Sequence, residues 1–416
     1  MADSRTIAIL GLNYPPEQTG IAPYTGALAT GLVGRGWAVG AQVAHPHYPA
    51  WRIARGYGEW TRRETLNGVR LTRRRHYVPG RPRGVRRLLS ELSFGARLLL
   101  RRRGRSTPSA RSRTGTSATI AVSPALFSTW LASWRRGRAP FIVWVQDLYT
   151  LGLAETGEGG GLVARITRHI ESRTLRRADR VVVIHERFAD YVVRELGVAP
   201  DRVVVIRNWT HLPLTVPATG SASRDAFGWR AGDTVVLHAG NMGVKQGLEH
   251  VVAAAREADR REAPVRFVLL GGGGEHDRLV ESARGIERIE FLDPLPDDRF
   301  RGALAAADLL LVNEKPGVAA MSVPSKLTSY FDAGRPVIAA TDPTGITAAE
   351  LAASGGGIVV PAGESGSLID AVLALRADPQ RAAALGAAGR RYRETVLDQD
   401  AAIDQWEAML HGLLSQ

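Results

Sequence analysis

Short apolar runs, each closed by a glycine- or proline-rich turn and followed by a stretch of helical length, recur along the whole chain. Residues 7–10 are such a run, 11–20 are a loop containing Pro15, Pro16 and Gly20, 21–34 have a helical pattern, and 36–43 lead into the next run. That is a βαβ unit, which demands a parallel sheet with right-handed crossovers. Further strands are expected at 119–122, 141–145, 180–184 and 203–206. A second series follows at 234–238, 266–270, 289–292, 309–312, 337–340 and 358–360. The fold class is therefore α/β with two Rossmann-like domains. The expected division is residues 1–208, a linker at 209–223 rich in proline and small polar residues, a second domain at 224–395, and a terminal helix at 396–416. Ribbon-like regularity is least evident over 51–118. There 86–103 read as a basic amphipathic helix, and 80–118 as a mobile basic insert.

The stretch from Met321 to Ala340 carries the strongest local signal. Pro324 stops what precedes it, Ser325 is a good N-cap, and Leu327, Tyr330 and Phe331 share one helical face. Gly334 suits a left-handed helix end, Pro336 bars continuation, and 337–340 make a buried strand. Lys326 is the odd residue, because a cation in a first helical turn opposes the helix dipole. An anion explains it: N–H groups, a serine hydroxyl and an ammonium would converge on one point. The chain has 54 lysines and arginines together, yet only Lys245, Lys315 and Lys326 are lysines.

This stretch resembles the donor-site motif of GT-B glycosyltransferases, glycosyltransferase family 4 in particular, and within it the branch of exopolysaccharide and O-antigen fucosyl- and N-acetylfucosaminyl-transferases. The resemblance implies two Rossmann-like domains facing across a cleft, with a C-terminal helix crossing back to the first. It implies that Ser325 and Lys326 face a nucleotide diphosphate, and that the main chain of Met321, Ser322, Val323 and Pro324 helps hold sugar and diphosphate. Where the family usually has a ribose-binding glutamate, this chain has Ser329. Gly240, Asn241, Gly243 and Lys245 form a second cradle at the end of a strand, with Lys245 as a displaced cation. Gly272 and the strand end with Leu292 and Leu295 resemble the places where backbone approaches the nucleoside. Glu314 is offset from the usual sugar-binding glutamate.

In the first half, Gly20 lets backbone approach a ligand closely. Asp147 follows the strand at 141–145, beyond whose carboxyl end ligands of open α/β sheets bind. It is either a group that meets a substrate hydroxyl or a turn residue. The catalytic candidates are thus Asp147, Lys245 and Lys326.

Net charge is +13, with the excess concentrated between Arg62 and Arg113, where Glu64 and Glu91 are the only acids. Such a balance suits nucleic acid, an anionic membrane or acidic substrates. No cysteine is present, so disulfides and thiol chemistry are excluded, and no apolar run approaches the ~18 residues that span a bilayer. No Asp-x-Asp pair suggests a metal, so fixed cations and dipoles would neutralise a leaving diphosphate. The expectation is a retaining, metal-independent transferase with no cofactor. It would use a nucleotide sugar, UDP-linked in preference to GDP-linked, and a glycan, lipid-linked or small-molecule acceptor. The expected place is the cytoplasm, with peripheral contact on an anionic membrane. A nucleotide-sugar epimerase on the same fold is one alternative. A nucleic-acid binder is the other, and it leaves both phosphate cradles without a purpose.

Overall fold

The structure is a computed structural model that describes residues 5–17, 20–80, 85–99, 116–123, 125–134, 138–151, 161–210, 224–317 and 326–415. Two compact units are formed, Met1–Asn208 with Gln399–Gln416, and Trp209–Asp398. Of the expected linker at 209–223, residues 211–223 lie outside the described residues, as do 100–115 of the basic segment and the motif residues Met321, Ser322, Val323, Pro324 and Ser325.

The first unit holds β1 (Thr6–Gly11), β2 (Ala38–Ala44), β3 (Thr61–Leu66), β4 (Val69–Arg74), β5 (Ala118–Ser123), β6 (Phe141–Val145), β7 (Arg180–Val183) and β8 (Val203–Val205). They form one sheet in the order β3-β4-β2-β1-β5-β6-β7-β8. Only β3 and β4 run antiparallel. Strands β1 and β5 are neighbours in space but far apart in sequence, so the chain reverses its direction of travel across the sheet there. Ligands of such sheets sit at that reversal, beyond the carboxyl ends of the strands. Strand β6 is buried at every position, as a central parallel strand should be.

The hairpin β3–β4 does not figure among the sequence expectations. Its turn is Asn67-Gly68, both with positive φ (49° and 78°), the two-residue connection that matches strand twist. Arginines in both strands hide the alternation that would mark them. Arg73 is fully buried, donating to Glu64 and to the Pro15 carbonyl. In the basic segment, Val85–Leu99 is a helix, and its Phe94 is fully buried. A Cβ at Gly95 would press on Leu131 and Ser128 of the next helix, Leu126–Trp134.

The second unit holds β9 (Thr234–Ala239), β10 (Val265–Leu270), β11 (Ile289–Leu292), β12 (Leu309–Asn313), β13 (Val337–Thr341) and β14 (Gly357–Pro361). All are parallel, in the order β11-β10-β9-β12-β13-β14. Again one pair, β9 and β12, marks the reversal. Its pairing covers only Leu309 with Val236 and Leu310 with Leu237. By contrast β9 stays paired with β10 through Ala239, and β12 with β13 through Asn313. The two middle strands therefore part towards their carboxyl ends. Apolar clusters cover both faces of this sheet.

The last helix, Gln399–Leu414, belongs to the first unit. Trp406 is fully buried with its ring 5.2 Å from that of Trp144 on β6. Trp37 donates to Glu407 at 2.8 Å, and Arg35 to Asp404 at 2.8 Å. Trp406→Ala should therefore lower unfolding free energy by about 3–5 kcal/mol, the usual cost of emptying a buried indole site. Guanidinium denaturation followed by circular dichroism measures it, and a loss below 1 kcal/mol would show that the helix is not part of this core.

Candidate functional site

In the second unit, the parting of β9 and β12 leaves backbone groups to be satisfied from elsewhere. The helix Lys326–Asp332 supplies them. Leu327, Tyr330 and Phe331 are buried, on one face as their spacing predicts. The Tyr330 hydroxyl accepts the Ala239 N–H at 2.8 Å and donates to the Leu311 carbonyl at 3.2 Å. One turn earlier on the same face, the Lys326 ammonium lies 3.2 Å from Nε2 of His238.

His238 is fully buried on β9, and its Nδ1 lies 3.2 Å from the Leu311 carbonyl. A carbonyl only accepts, so Nδ1 carries the proton and Nε2 offers a lone pair to Lys326. Burial, reinforced by the neighbouring ammonium, holds the imidazole well below its usual range and therefore neutral. Burial also lowers Lys326, to about 8, with Glu314 opposing the shift. The residue as a whole is half-buried, while its ammonium is turned inward. Gly240, at φ +131°, stands next to it. A Cβ there would lie 3.9 Å from both Cε and Nζ of Lys326.

The loops around this point are tied into one rim by main-chain hydrogen bonds. Gly240 N–H donates to Leu270, Met242 N–H to Gly272, and Gly271 N–H to Leu292. A Cβ at Gly271 would overlap the Gly240 carbonyl, so the two loops touch only because the residue is glycine. Asn313 donates to the carbonyls of Gln246 (2.7 Å) and Gly247 (3.0 Å), and Lys315 N–H to the Lys245 carbonyl at 3.0 Å. All three lysines of the chain thus gather at the carboxyl edge of one sheet, Lys245 and Lys315 on loops and Lys326 at the start of a helix. Lys245 itself is exposed, as is Asn241. Lys245 sits in a single 3-10 turn, Val244–Gln246; Gly247 closes it at φ +55°, and the following helix starts at Glu249. Gly243 closes that turn, its N–H donating to the Gln246 side chain at 3.0 Å.

Ser329 is half-buried, three residues after Lys326 and so its neighbour on the helix surface. Leu292 and Leu295 pack their side chains on the core. Glu314 is held by Thr341 and by Thr347 (2.7 Å), which fixes its carboxylate. His238, Asn313 and Lys315 are the residues sequence reading passed over. Lys315 had a signal in its rarity, whereas His238 looks like any polar residue at a strand end.

The first unit has a cavity of about 220 Å³ at its own reversal point, beyond β1 and β5, and both expected residues, Gly20 and Asp147, line it. Gly20 has φ +67°, and a Cβ there would meet the Tyr48 ring at 3.4 Å. Asp147 Oδ1 accepts the Leu148 N–H at 2.9 Å. Beneath that turn Glu171 accepts from Tyr149 (2.7 Å) and Thr150 (3.0 Å). Its carboxyl is pushed up to about 7, by burial first and by Asp147 as well, while the two N–H groups pull it down. Buried Glu17 braces the other wall, accepting from the N–H groups of His47 (2.7 Å) and Tyr48 (2.9 Å) and from Asn13 (2.9 Å). The cavity also takes in Arg87 and Glu91, to which no sequence motif points.

Lys326 carries a charge that burial disfavours. Its pKa is lower folded than unfolded, so the penalty is fully present below pH 8 and fades as pH rises towards the ordinary lysine value. Lys326→Met should therefore stabilise the protein at pH 7 by roughly 1–2 kcal/mol, discounted from the full shift because the residue is half-buried. The gain should shrink above pH 8. Denaturation at pH 7 and pH 10 checks the sign, and a loss at pH 7 would mean the ammonium is a structural tie.

Comparison with known proteins agrees with this layout. Residues 19–209 match the Glycosyl transferase 4-like domain, and residues 233–378 match Glycosyl transferases group 1. The chain is 32% identical over 346 residues to the putative colanic acid biosynthesis glycosyl transferase WcaI of Escherichia coli K12, covering 79% of this chain and 81% of that protein. In fold it is similar to sucrose-phosphate synthase of Thermosynechococcus elongatus, with a TM-score of 0.74, 18% identity and 99% of each chain covered. Anabaena Alr3699/HepE, crystallised with UDP, superposes with a TM-score of 0.69 at 17% identity, over 98% of this chain and 100% of that one. With two parallel-sheet domains of this kind and that relative, the chain belongs to the group 1 glycosyltransferases of GT-B fold, and is an enzyme of hexosyltransferase type.

Proposed function

We propose that this enzyme moves a sugar from a nucleotide diphosphate sugar, UDP-linked in preference to GDP-linked, to a hydroxyl of a glycan, lipid-linked glycan or natural-product acceptor. Transfer proceeds with retention of configuration and without a metal. The branch proposed is that of exopolysaccharide and O-antigen fucosyl- and N-acetylfucosaminyl-transferases. The observation that supports this most is the gathering of the only three lysines on one sheet edge, in a chain that otherwise writes arginine. Lys326 and Lys245 are the proposed diphosphate ligands, with Gly240, Asn241 and Gly243 contributing main chain. Met321 to Ser325 are assigned sugar and diphosphate contacts by the motif alone. Gly272, Leu292, Leu295 and Ser329 are the proposed nucleoside side. Gly20 and Asp147 are the proposed acceptor side. The similar protein crystallised with UDP favours uridine over guanosine.

Lys326 suits a leaving diphosphate. The oxygen atoms gain charge as the glycosidic bond breaks, and a half-desolvated ammonium responds strongly to that charge. Its lowered pKa implies that free enzyme loses the positive charge above about pH 8. Lys326→Ala should weaken donor turnover by about 2 kcal/mol or more, through the lost charge-assisted contact, and Lys245→Ala should do likewise. Steady-state kinetics with varied donor checks both; wild-type values in both variants would put the diphosphate elsewhere. A melting-temperature screen with UDP, GDP, TDP and ADP should show the largest rise with UDP. Activity should survive EDTA, and its collapse would overturn the metal-free reading.

Peripheral membrane contact is part of the proposal. Leu126–Trp134 packs against both Val85–Leu99 and Gly161–Arg176. These helices leave Leu89, Trp134, Leu162 and Ile166 exposed. Among the described residues no helix is long and apolar enough to cross a membrane. Each arginine near an anionic surface adds about 1 kcal/mol. The enzyme should float with anionic vesicles at low salt, be released by moderate salt, and ignore neutral vesicles. Failure to float with either would favour a water-soluble acceptor.

A further inference from the structure

Trp51 borders the cavity of the first unit in a backbone conformation that costs energy. Its φ is +47°, in the left-handed region that glycine enters freely and a bulky side chain does not. The same loop uses glycine where a turn needs positive φ, at Gly56 and Gly58. An indole at position 51 is therefore kept against local preference, as happens where a side chain has a task. Hydrogen bonds from the Arg52 N–H to the His47 carbonyl (3.3 Å) and from the Ala54 N–H to the Pro46 carbonyl (2.8 Å) fold the loop back on itself. The half-buried Trp51 ring then stands 5.8 Å from that of His47 and 6.4 Å from that of Tyr48, edge to face with both.

His47 supplies a second, independent observation. It is 5% exposed and borders the same cavity. Its Nδ1 lies 2.9 Å from the His45 carbonyl, which only accepts, so Nδ1 carries a proton. Glu17 Oε1, which takes the N–H groups of His47 and Tyr48, stands 3.5 Å from the same nitrogen. The ring is thus fixed from behind. Among the described residues nothing bonds Nε2, and yet Nε2 is not sealed. Both nitrogens of His76, whose ring is 4.9 Å away, are closed off without a partner, whereas Nε2 of His47 keeps accessible surface. The open space that His47 borders is the cavity. In the neutral ring this nitrogen accepts. A hydroxyl, which both donates and accepts, fits it whether or not it carries a proton.

We propose that Trp51 and His47 form a subsite for one monosaccharide unit of the acceptor, the C–H face of the sugar ring on the Trp51 indole and one of its hydroxyls on His47 Nε2. This rests on the glycosyltransferase reading above and adds to it two binding residues and a ligand class. An aromatic face beside a fixed hydrogen-bonding nitrogen matches a sugar ring, which is apolar on its faces and polar at its edge. The cavity, about 220 Å³, falls below the ~300–1,000 Å³ of pockets that hold drug-sized ligands, so it suits a single ring. A phosphate is disfavoured. Asp147 borders the same space, and Arg87 on its wall is engaged with Glu91 at 3.7 Å and the Tyr149 ring at 5.3 Å.

The test uses the full-length protein and a panel of methyl hexopyranosides, including a 6-deoxy sugar, followed by saturation-transfer NMR. Wild type should bind at least one glycoside, with the C–H protons of one ring face taking the most saturation. Trp51→Gly suits the left-handed backbone, so the loop is free to keep its path. It should weaken binding about tenfold and erase the preference for one ring face, while Trp51→Phe, which keeps an aromatic, should lose less. His47→Phe should weaken binding about tenfold and keep the face preference. The monodeoxy analogues of the bound glycoside identify the hydroxyl: one should bind wild type about tenfold more weakly than its parent, yet bind His47→Phe as well as the parent does. A merely structural histidine would not erase that difference. The proposal is overturned by a wild type that binds no glycoside, by Trp51→Gly binding as wild type does, or by a deoxy penalty that persists in His47→Phe. Should His47→Phe fail to fold, Trp51→Gly and the ring-face pattern decide alone. A UDP-induced rise in melting temperature is measured in the same samples. UDP stabilisation without glycoside binding sinks this subsite only, and loss of both sinks the donor reading as well.

Discussion

Two strands part at the centre of the second sheet, and the short helix Lys326–Asp332 bridges them. Past Leu237 and Leu310, β9 and β12 no longer pair, so the Ala239 N–H and the Leu311 carbonyl face each other without a ladder bond. A buried backbone group left unmet costs about 1–3 kcal/mol. Tyr330 meets both groups with one hydroxyl, and His238 adds a second bond to the Leu311 carbonyl. The crevice thus exists because these side chains replace the missing ladder. The same helix face then positions Lys326, whose ammonium has His238 Nε2 on one side and glycine backbone on the other. The bridging hydroxyl and the inward ammonium are one turn apart on one amphipathic pattern.

That geometry also accounts for the choice of lysine in an arginine-writing chain. The ammonium sits in a narrow place, with Gly240 contributing no Cβ and His238 offering one lone pair. A planar guanidinium with five donors in a fork could not satisfy them there, and it cannot shed its proton. Elsewhere the chain uses arginine as a structural residue. Arg73 closes a buried network in the first unit, and Arg97 lies over Trp60 at 3.6 Å while donating to the Trp60 carbonyl at 2.7 Å. Part of the net charge therefore belongs to arginines that serve the fold.

Much of the architecture was legible because parallel strands buried on both faces write continuous apolar runs. The run at 141–145 coincides with β6, and that at 289–292 with β11. Gly334 adopts the left-handed conformation its place after Phe331 suggests, with φ +66°. The hairpin β3–β4 was not legible, since its exposed faces are filled by arginine and threonine. The Asn67-Gly68 pair was the one cue. Gly240 and Asp147 could be placed at strand ends, and Lys326 at a helix start, from order alone. His238 could not, because its role depends on two strands separating, which no local pattern records.

The two reversal points differ in the sign of what they gather. The second unit collects cations around β9 and β12, and the first collects carboxyls around β1, β5 and β6: Asp147 and Glu91 in the cavity and Glu171 beneath. A chain of net charge +13 places its acids there against the prevailing charge, and burial then lifts Glu91 and Glu171 to about 7. Diphosphate release calls for fixed positive charge. An attacking hydroxyl calls for the opposite, acceptors that orient its O–H and draw off the proton as the new bond forms. On the function proposed above, one arrangement of parallel strands would serve both, because the residue types at the strand ends, not the sheet, decide which charge each crevice gathers.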